Sequence, residues 1–384
     1  MEPRVLLAIT VYNGPELVPS CLRSAARVSN DACAIDILVL DDASPLPGFS
    51  GDVRLLCEEL GIGYYRSPRN LGIPRNVNLG LLRALQGGYD YVVIANSDVI
   101  FSRRVVTQLV GACSSDASIG SVTAWSNNVS IYSLPNSDPD RYLSDQGMVD
   151  WLADELGAEF GDEAVDIPAG ISFCICIPTP ALRSVGLMDP VFGRGYSEET
   201  DWTLRSKSLG YRITLAPSAF VYHQGGGSSV AAGLVENRHT GVPANERIVD
   251  MRYPNFRSEV SAYQSATSPG IMRQAALHRI ALEGARQHGY EVTVGHIRGG
   301  EAGSDLARIS IEKVEGRLRA FALFKGFTAE LDLGTEDPIG SVIGQIGVEP
   351  TAIRLFDRRI LRWGHGTPVQ APLAADEVGY PPRV

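Results

Sequence analysis

The sequence predicts an α/β protein: a mainly parallel sheet with helices on both faces, followed by a smaller C-terminal α/β block. Three observations lead there. Over residues 1–125 short apolar runs alternate with segments of helical periodicity. Those runs lack the in–out alternation of half-exposed strands, so both of their faces are covered. They also stop abruptly at Asp- or Asn-containing turns, as strands feeding helices do.

In order, residues 5–11 form a strand and Asn13-Gly14-Pro15 turns the chain. Leu17, Val18, Cys21, Leu22, Ala25 and Val28 then recur at helical spacing, with Pro15 tolerated in the first turn. Residues 35–40 are a second strand, ending in Asp41-Asp42-Ala43-Ser44-Pro45. Helix is expected over 53–60, 77–85 and 105–112, and strand over 62–65, 91–95 and 119–124. Residues 126–147, rich in Ser, Asn, Asp and Pro, read as a long surface excursion. A short helix over 148–156 and a strand over 171–177 follow, then a helix over 198–209 and strands over 211–216 and 219–222. After the Gly-rich run 225–229 and the aperiodic 230–244, a second block has helix over 272–287 and 338–346. Its strands are expected over 291–296, 307–314, 318–324 and 352–356. From Gly364 onward Gly and Pro predict a poorly ordered tail. The expected domains are 1–244, 245–360 and the tail 361–384.

The chain has 384 residues, 44% hydrophobic and 20% charged, a balance that argues against a largely disordered protein. Its net charge of −10 disfavours broad nucleic-acid binding, which depends on neutralising phosphates, but leaves room for a local basic pocket. No apolar run approaches the roughly 18 residues of a membrane span. The start, Met1-Glu2-Pro3-Arg4-Val5, lacks a signal-peptide pattern, and six scattered cysteines form no disulfide framework. A cytoplasmic protein with reduced thiols is expected.

In doubly wound sheets ligands bind beyond the carboxyl ends of the strands, where Asp41-Asp42 and Asn96-Ser97-Asp98 are expected. Four clusters carry the chemistry. The first joins Ala8-Ile9-Thr10-Val11-Tyr12-Asn13 to Leu40-Asp41-Asp42-Ala43-Ser44. The second is Arg69-Asn70-Leu71-Gly72, continuing through Arg75 to Asn78 and Gly80. The third is Ile94-Ala95-Asn96-Ser97-Asp98. The fourth runs from Gly170 through Leu187-Met188-Asp189 and Tyr196-Ser197-Glu198-Glu199-Thr200-Asp201-Trp202 to Val221-Tyr222-His223-Gln224-Gly225-Gly226.

In order and spacing these clusters resemble glycosyltransferase family 2, the inverting enzymes with the Rossmann-like GT-A fold, over residues 4–229. The Asn-Leu-Gly element and the Asn-x-Asp sequence look most like its bacterial rhamnosyltransferase-like branch. The resemblance implies transfer of a sugar from a nucleotide-diphospho-sugar, a UDP- or dTDP-sugar foremost, to a hydroxyl acceptor such as a glycan or lipid-linked glycan. It also implies Mg²⁺ or Mn²⁺, because one divalent cation on oxygen ligands neutralises the departing diphosphate.

Residue by residue, Asp98 matches the metal-binding aspartate of the family's DxD motif, with Asn96 where many members have Asp. Read alone, Asn-Ser-Asp is a helix cap. His223 matches the late histidine that completes the metal site. Asp42 matches the residue that hydrogen-bonds the base, Thr10 and Tyr12 lie where the first strand meets the nucleoside, and Arg75 is placed to reach the diphosphate. Ser44 and Asn70 are expected to hold their turns. Glu199, at the start of its helix, matches the base that takes the acceptor proton. The usual pair is Glu-Asp; here it is Glu198-Glu199, one methylene longer, with Glu198 beside the substrate. First-turn acids also suit the helix dipole. Asp201 and Arg205 are expected to brace the helix through an i,i+4 pair, and Trp202 to serve as core or as a sugar platform. Cys174 and Cys176 share one strand face as buried core.

The second block carries no recognised catalytic constellation. Its helix with Arg273, His278, Arg279 and Arg286 suggests a solvated face, a self-association contact or an acceptor edge. A peripheral station at the inner face of a membrane is compatible with the expected cytoplasmic location. Two alternatives differ in class: a glycan- or partner-binding protein on a decayed scaffold, and a sugar nucleotidyltransferase, which would need a Gly-rich basic loop after the first strand.

Overall fold

The computed structural model describes residues 2–129, 131–224, 242–295, 305–334 and 337–356. The Gly-rich run 225–229, most of 230–244, the end of the strand expected over 291–296 and the expected tail 361–384 lie outside them. The described residues form two compact units. One comprises the residues up to Pro135 with Pro139–Arg273; the other comprises Asn136–Asp138 and those from Gln274 on.

The first unit is built on a nine-stranded sheet. Its strands are β1 (Arg4–Val11), β2 (Ala34–Asp41), β3 (Gly63–Arg66), β4 (Tyr91–Asn96), β5 (Val99–Phe101), β6 (Ile119–Ser126), β7 (Val165–Asp166), β8 (Cys174–Pro178) and β9 (Arg212–His223). The order is β3-β2-β1-β4-β8-β6-β9-β5, with β7 paired to β9. The first four strands are parallel, as are β6 and β9, whereas β8 runs antiparallel to both β4 and β6. This mixed, mainly parallel sheet is the kind the sequence predicts.

Eight helices of this unit precede the last strand: α1 (Val18–Ala25), α2 (Phe49–Leu60), α3 (Ile73–Gly87), α4 (Val105–Ser114), α5 (Pro139–Tyr142), α6 (Gln146–Phe160), α7 (Thr179–Val185) and α8 (Glu198–Ser208). The period of two along β1 decides what each face holds. Val5, Leu7 and Ile9 join Leu22, Val53 and Leu109 in one core cluster. Leu6 and Ala8 point the other way, joining Leu81, Leu182 and Trp202 in a second. Helices therefore cover both faces.

Four local expectations change. The 126–147 segment is not simply surface: Tyr132, Leu134 and Leu143 are buried, isolated apolar anchors that its polar composition hides. The strands expected over 211–216 and 219–222 are one, β9. Its pairing jumps from Ala124↔Ala216 to Trp125↔Phe220, so Pro217 sits in a bulge where its missing N–H costs no ladder bond. The strand expected over 171–177 begins only at Cys174. Finally, α9 (Pro243–Arg252) and α10 (Phe256–Ser265) lie where no periodicity was found. Between them they bury only Asn245 and Val249, so neither has an apolar stripe to read.

The second unit takes the C-terminal part of α11 (Thr267–His288) and a five-stranded sheet ordered β13-β12-β11-β10-β14. The central β10 (Tyr290–Val294) is parallel to β11 (Ala307–Val314) and β14 (Ala352–Leu355). Strands β11, β12 (Arg317–Phe324) and β13 (Phe327–Leu331) form an antiparallel meander, and α12 (Pro338–Ile346) precedes β14. Both hairpins use two-residue loops, Glu315-Gly316 and Lys325-Gly326, with positive φ at every position, the geometry that matches strand twist. Asn136 and Ser137 dock on the second loop, through the Lys325 carbonyl at 2.8 Å and the Gly326 carbonyl at 2.9 Å.

Candidate active site

The site begins where β1, β2 and β4 end together. Thr10 lies between Leu40 and Asn96 in register, half-buried, with its hydroxyl 3.3 Å from the Ala95 carbonyl. Tyr12 is half-buried just beyond. Asp41 is wholly buried and accepts from the Ser44 amide and hydroxyl, Ser50 and Tyr64. Burial alone would raise its pKa, but these hydrogen bonds hold it below the ordinary value. Ser44 in turn accepts from the Asn13 amide at 2.9 Å, which fixes the turn as expected.

Asp42 has a structural duty beyond the one expected. Its two oxygens accept from the amides of Leu71 and Gly72 at 2.7 and 2.9 Å. Burial raises its pKa, opposed by those two amides. Asn70 accepts from the Gly72 amide at 3.2 Å and so fixes its turn. The turn requires glycine: Gly72 has φ +81, and a Cβ there would sit 2.2 Å from the Gly193 carbonyl oxygen. That contact, with the Ile73 amide 3.2 Å from the Arg194 carbonyl, joins the strand ends to the loop ahead of α8. Arg75 projects into solvent from the first turn of α3, and no described residue holds its guanidinium.

The pairing of β5 with β9 places His223 opposite Val99 and brings its imidazole to Asp98. Nε2 lies 3.3 Å from Asp98 Oδ1, and both side chains are largely buried. Asn127 grips the His223 backbone on both sides, at 2.8 and 3.0 Å, and Phe173 stacks on the ring at 5.4 Å. The other ring nitrogen, Nδ1, is 3.1 Å from the Asn128 carbonyl and so carries the proton there. A neutral imidazole therefore turns its Nε2 lone pair toward a carboxylate oxygen. Two facing acceptors need something positive between them, either a second proton or a cation. Burial lowers the His223 pKa, but Asp98 and the Asn128 carbonyl outweigh it and raise it overall. One carboxylate, one imidazole with its far nitrogen hydrogen-bonded, and Asn96 at the strand end fit a divalent cation that completes its shell with phosphate and water. No group of three His, Cys, Asp or Glu ligands occurs among the described residues, so the grip is sparse, in keeping with Asn96 in place of Asp.

At α8 the chain enters through Tyr196 and Ser197, both left-handed at φ 71 and 74. Glu198 is 2% exposed and Glu199 half-buried; each has an Oε2 that is buried without a hydrogen-bond partner. Burial raises both pKa values, and Glu199 raises that of Glu198 further. Asp201 and Arg205 pair at 2.9 Å, and Arg205 also donates to the carbonyls of Val185 and Leu187; both brace the helix. Trp202 is not a sugar platform. It is fully buried and its indole N–H donates to the Gly186 carbonyl at 2.7 Å, which leaves no face for a ligand.

Sequence reasoning missed three residues near this helix. Asn245, Arg252 and Tyr253 come from α9 and its C-terminus. Arg252 binds Asp201 at 2.7 Å and Asp189 at 2.8 Å, and the Tyr253 hydroxyl lies 3.0 Å from Asp201. The masses of polar residues in Pro243–Arg252 gave no periodic signal by which to find them.

The chain is 28% identical over 235 residues to an undecaprenyl-phosphate mannosyltransferase of Micrococcus luteus, covering 60% of this chain and 89% of that protein. Among solved structures it is similar to mannosyltransferase PcManGT from Pyrobaculum calidifontis in complex with GDP-Man and Mn²⁺. There the TM-score is 0.44 and the identity 16%, over 73% of this chain and 76% of that one. It is also similar to GalNAc-T7 with UDP, GalNAc and Mn²⁺, at TM-score 0.49 and 13% identity, over 70% of this chain and 50% of that one. Residues 7–157 match the family model described as Glycosyl transferase family 2. That match takes in the strand ends that carry Asp42 and Asp98 and stops short of α8 and His223.

Proposed function

We propose that the protein is an inverting glycosyltransferase that moves a sugar from a nucleotide-diphospho-sugar to an acceptor hydroxyl. The observation that carries this reading is the Asp98–His223 pair, with Nε2 3.3 Å from Oδ1, at the sheet end where nucleotides bind in such folds. Asp98, His223 and Asn96 would hold Mg²⁺ or Mn²⁺, whose positive charge, when bound, neutralises the leaving diphosphate. Thr10, Tyr12 and Asp42 line the nucleoside side, and the exposed Arg75 swings to the diphosphate. Glu199 takes the proton of the acceptor hydroxyl. The acceptor oxygen bonds to the anomeric carbon from the face opposite the diphosphate, and the bond from that carbon to the phosphate oxygen breaks. Burial keeps the Glu199 carboxyl basic.

The Micrococcus relative is named for a phosphate acceptor, and the two acceptor chemistries separate at Glu199. A hydroxyl must lose a proton, whereas a phosphate monoester is already ionised near neutral pH. Glu199→Gln therefore slows transfer to a hydroxyl and spares transfer to a polyprenyl phosphate.

A thermal-shift titration with UDP, dTDP and GDP, each with Mn²⁺ or EDTA, tests the donor site. Ligand at 100 times its Kd stabilises by about 2.7 kcal/mol, a readable shift. A metal-dependent shift with one nucleotide, and an inverted anomer in the product by NMR, are the expected results. No shift with any nucleotide, and no transfer from the matching sugars, would leave the decayed-scaffold reading in its place.

A further inference from the structure

We propose that Asn245, on α9, is a positioning residue for Glu199: its side-chain amide straps the two-residue left-handed turn from which α8 springs. This rests on the reading of Glu199 as the base. Three observations combine. The turn is unfavourable by itself, because Tyr196 and Ser197 are consecutive non-glycine residues at φ 71 and 74, a region bulky side chains avoid. The helix does not cap itself, since the Ser197 side chain makes no capping bond, although Ser is a favoured capping residue elsewhere. Asn245 holds the turn from its entry side instead. Its amide nitrogen, in a side chain 8% exposed, lies 3.0 Å from the Phe192 carbonyl, 2.8 Å from Gly195 and 2.9 Å from Tyr196. Two N–H bonds are shared among three carbonyls that surround the turn on its entry side.

The strap needs a fixed anchor, and α9 has one. Val249 shares a small core cluster with Phe192 and Leu204, and Arg252 bridges Asp189 and Asp201. The turn is thus clamped between a helix held on α8 and the Gly72 loop behind it. A carboxylate at 245 would set acceptors against three carbonyls, and an alkyl group would leave buried carbonyls unpaired; either opens the turn. Glu199 sits two residues beyond Ser197, so its carboxyl moves with the turn. The base therefore depends on a segment that lies outside the family match of residues 7–157.

The test uses the full chain carrying Asn245→Asp, with Asn245→Ser as the milder change should the first fail to fold. Donor affinity, kcat and hydrogen–deuterium exchange over residues 193–202 are measured. The expected result is a kcat lowered about 10–100-fold, the size of effect that a small misplacement of a catalytic group produces, with donor Kd unchanged and exchange in 193–202 accelerated. Adding Ser197→Gly should recover most of the lost kcat, because glycine adopts the left-handed region without a strap. A wild-type-like kcat in both single variants would overturn the proposal, as would an absence of recovery with Ser197→Gly. If the wild-type protein itself transfers no sugar, the reading of Glu199 fails instead; the exchange measurement still decides the strap, and unchanged exchange in 193–202 would overturn it.

Discussion

At the scale of single residues, burial of charge does most to separate functional groups from structural ones. Glu198 and Glu199 each carry a buried oxygen that no donor reaches, whereas the equally buried Asp41 and Asp201 are ringed by donors. A buried carboxyl oxygen without a donor is costly, and such cost persists where chemistry uses it. Because folding raises both glutamate pKa values, the folded chain holds protons that the unfolded chain has released above about pH 4.3. Stability therefore falls as pH rises from the ordinary carboxylate value through the raised ones. Activity rises over the same window as the base ionises. A kcat/KM profile should place its acid limb above about pH 4.3; a limb at or below that value would remove the buried pair from the rate. Glu199→Gln should lower kcat toward a hydroxyl acceptor by about 10²–10⁴ with donor affinity kept. Glu198→Gln deletes the more deeply buried charge, and calorimetry at pH 8 should find Tm raised by a few degrees, about 2–4 °C per kcal/mol at this size. Asp98→Ala acts on the other half of the site, and should abolish the Mn²⁺-dependent part of any nucleotide-induced thermal shift. Asp42 and Trp202 show what type and position leave open: hydrogen-bond capacity is visible in a sequence, but whether the backbone has already taken it is not.

Among elements, the site depends on loops held at close quarters. The 70–73 turn is accepted by Asp42 on one side and touches Gly193 on the other, with room only for hydrogen at Gly72. Gly72→Ala brings a methyl 2.2 Å from the Gly193 oxygen at a φ that favours glycine. It should cost about 2 kcal/mol or more, read as a Tm lower by roughly 4–8 °C; an unchanged Tm would show that the loop shifts freely. The antiparallel pair β5–β9 is the other such device, since a one-residue slip there would turn His223 away from Asp98. Neither β5 nor α9 was legible in the sequence, for different reasons. Three residues are too few to show a period, and α9 is held by ion pairs and one amide rather than by an apolar stripe. The strands β1 and β4 were legible because burial along both faces selects nearly continuous apolar side chains.

For the whole molecule, each compact unit has its own sheet, and the short stretch Asn136–Asp138 is counted with the second. No described helix is long and apolar enough to cross a membrane. With a net charge of −10, the surface should repel polyanions, and a fluorescence titration with random single-stranded DNA at about 0.15 M salt should show no saturable binding. The sequence by itself determined the α/β class, the strand ends at which chemistry-bearing residues gather, and the likeness of residues 7–157 to glycosyltransferase family 2. These follow from local apolar pattern and from residue types that the chemistry requires. Only the tertiary structure decided that Asp98 meets His223, that Asp42 is engaged by a turn, that Trp202 is core, and that Asn245 reaches the turn before Glu199. Each of those is a contact between segments remote in the chain, fixed by register and packing, and no local pattern encodes it.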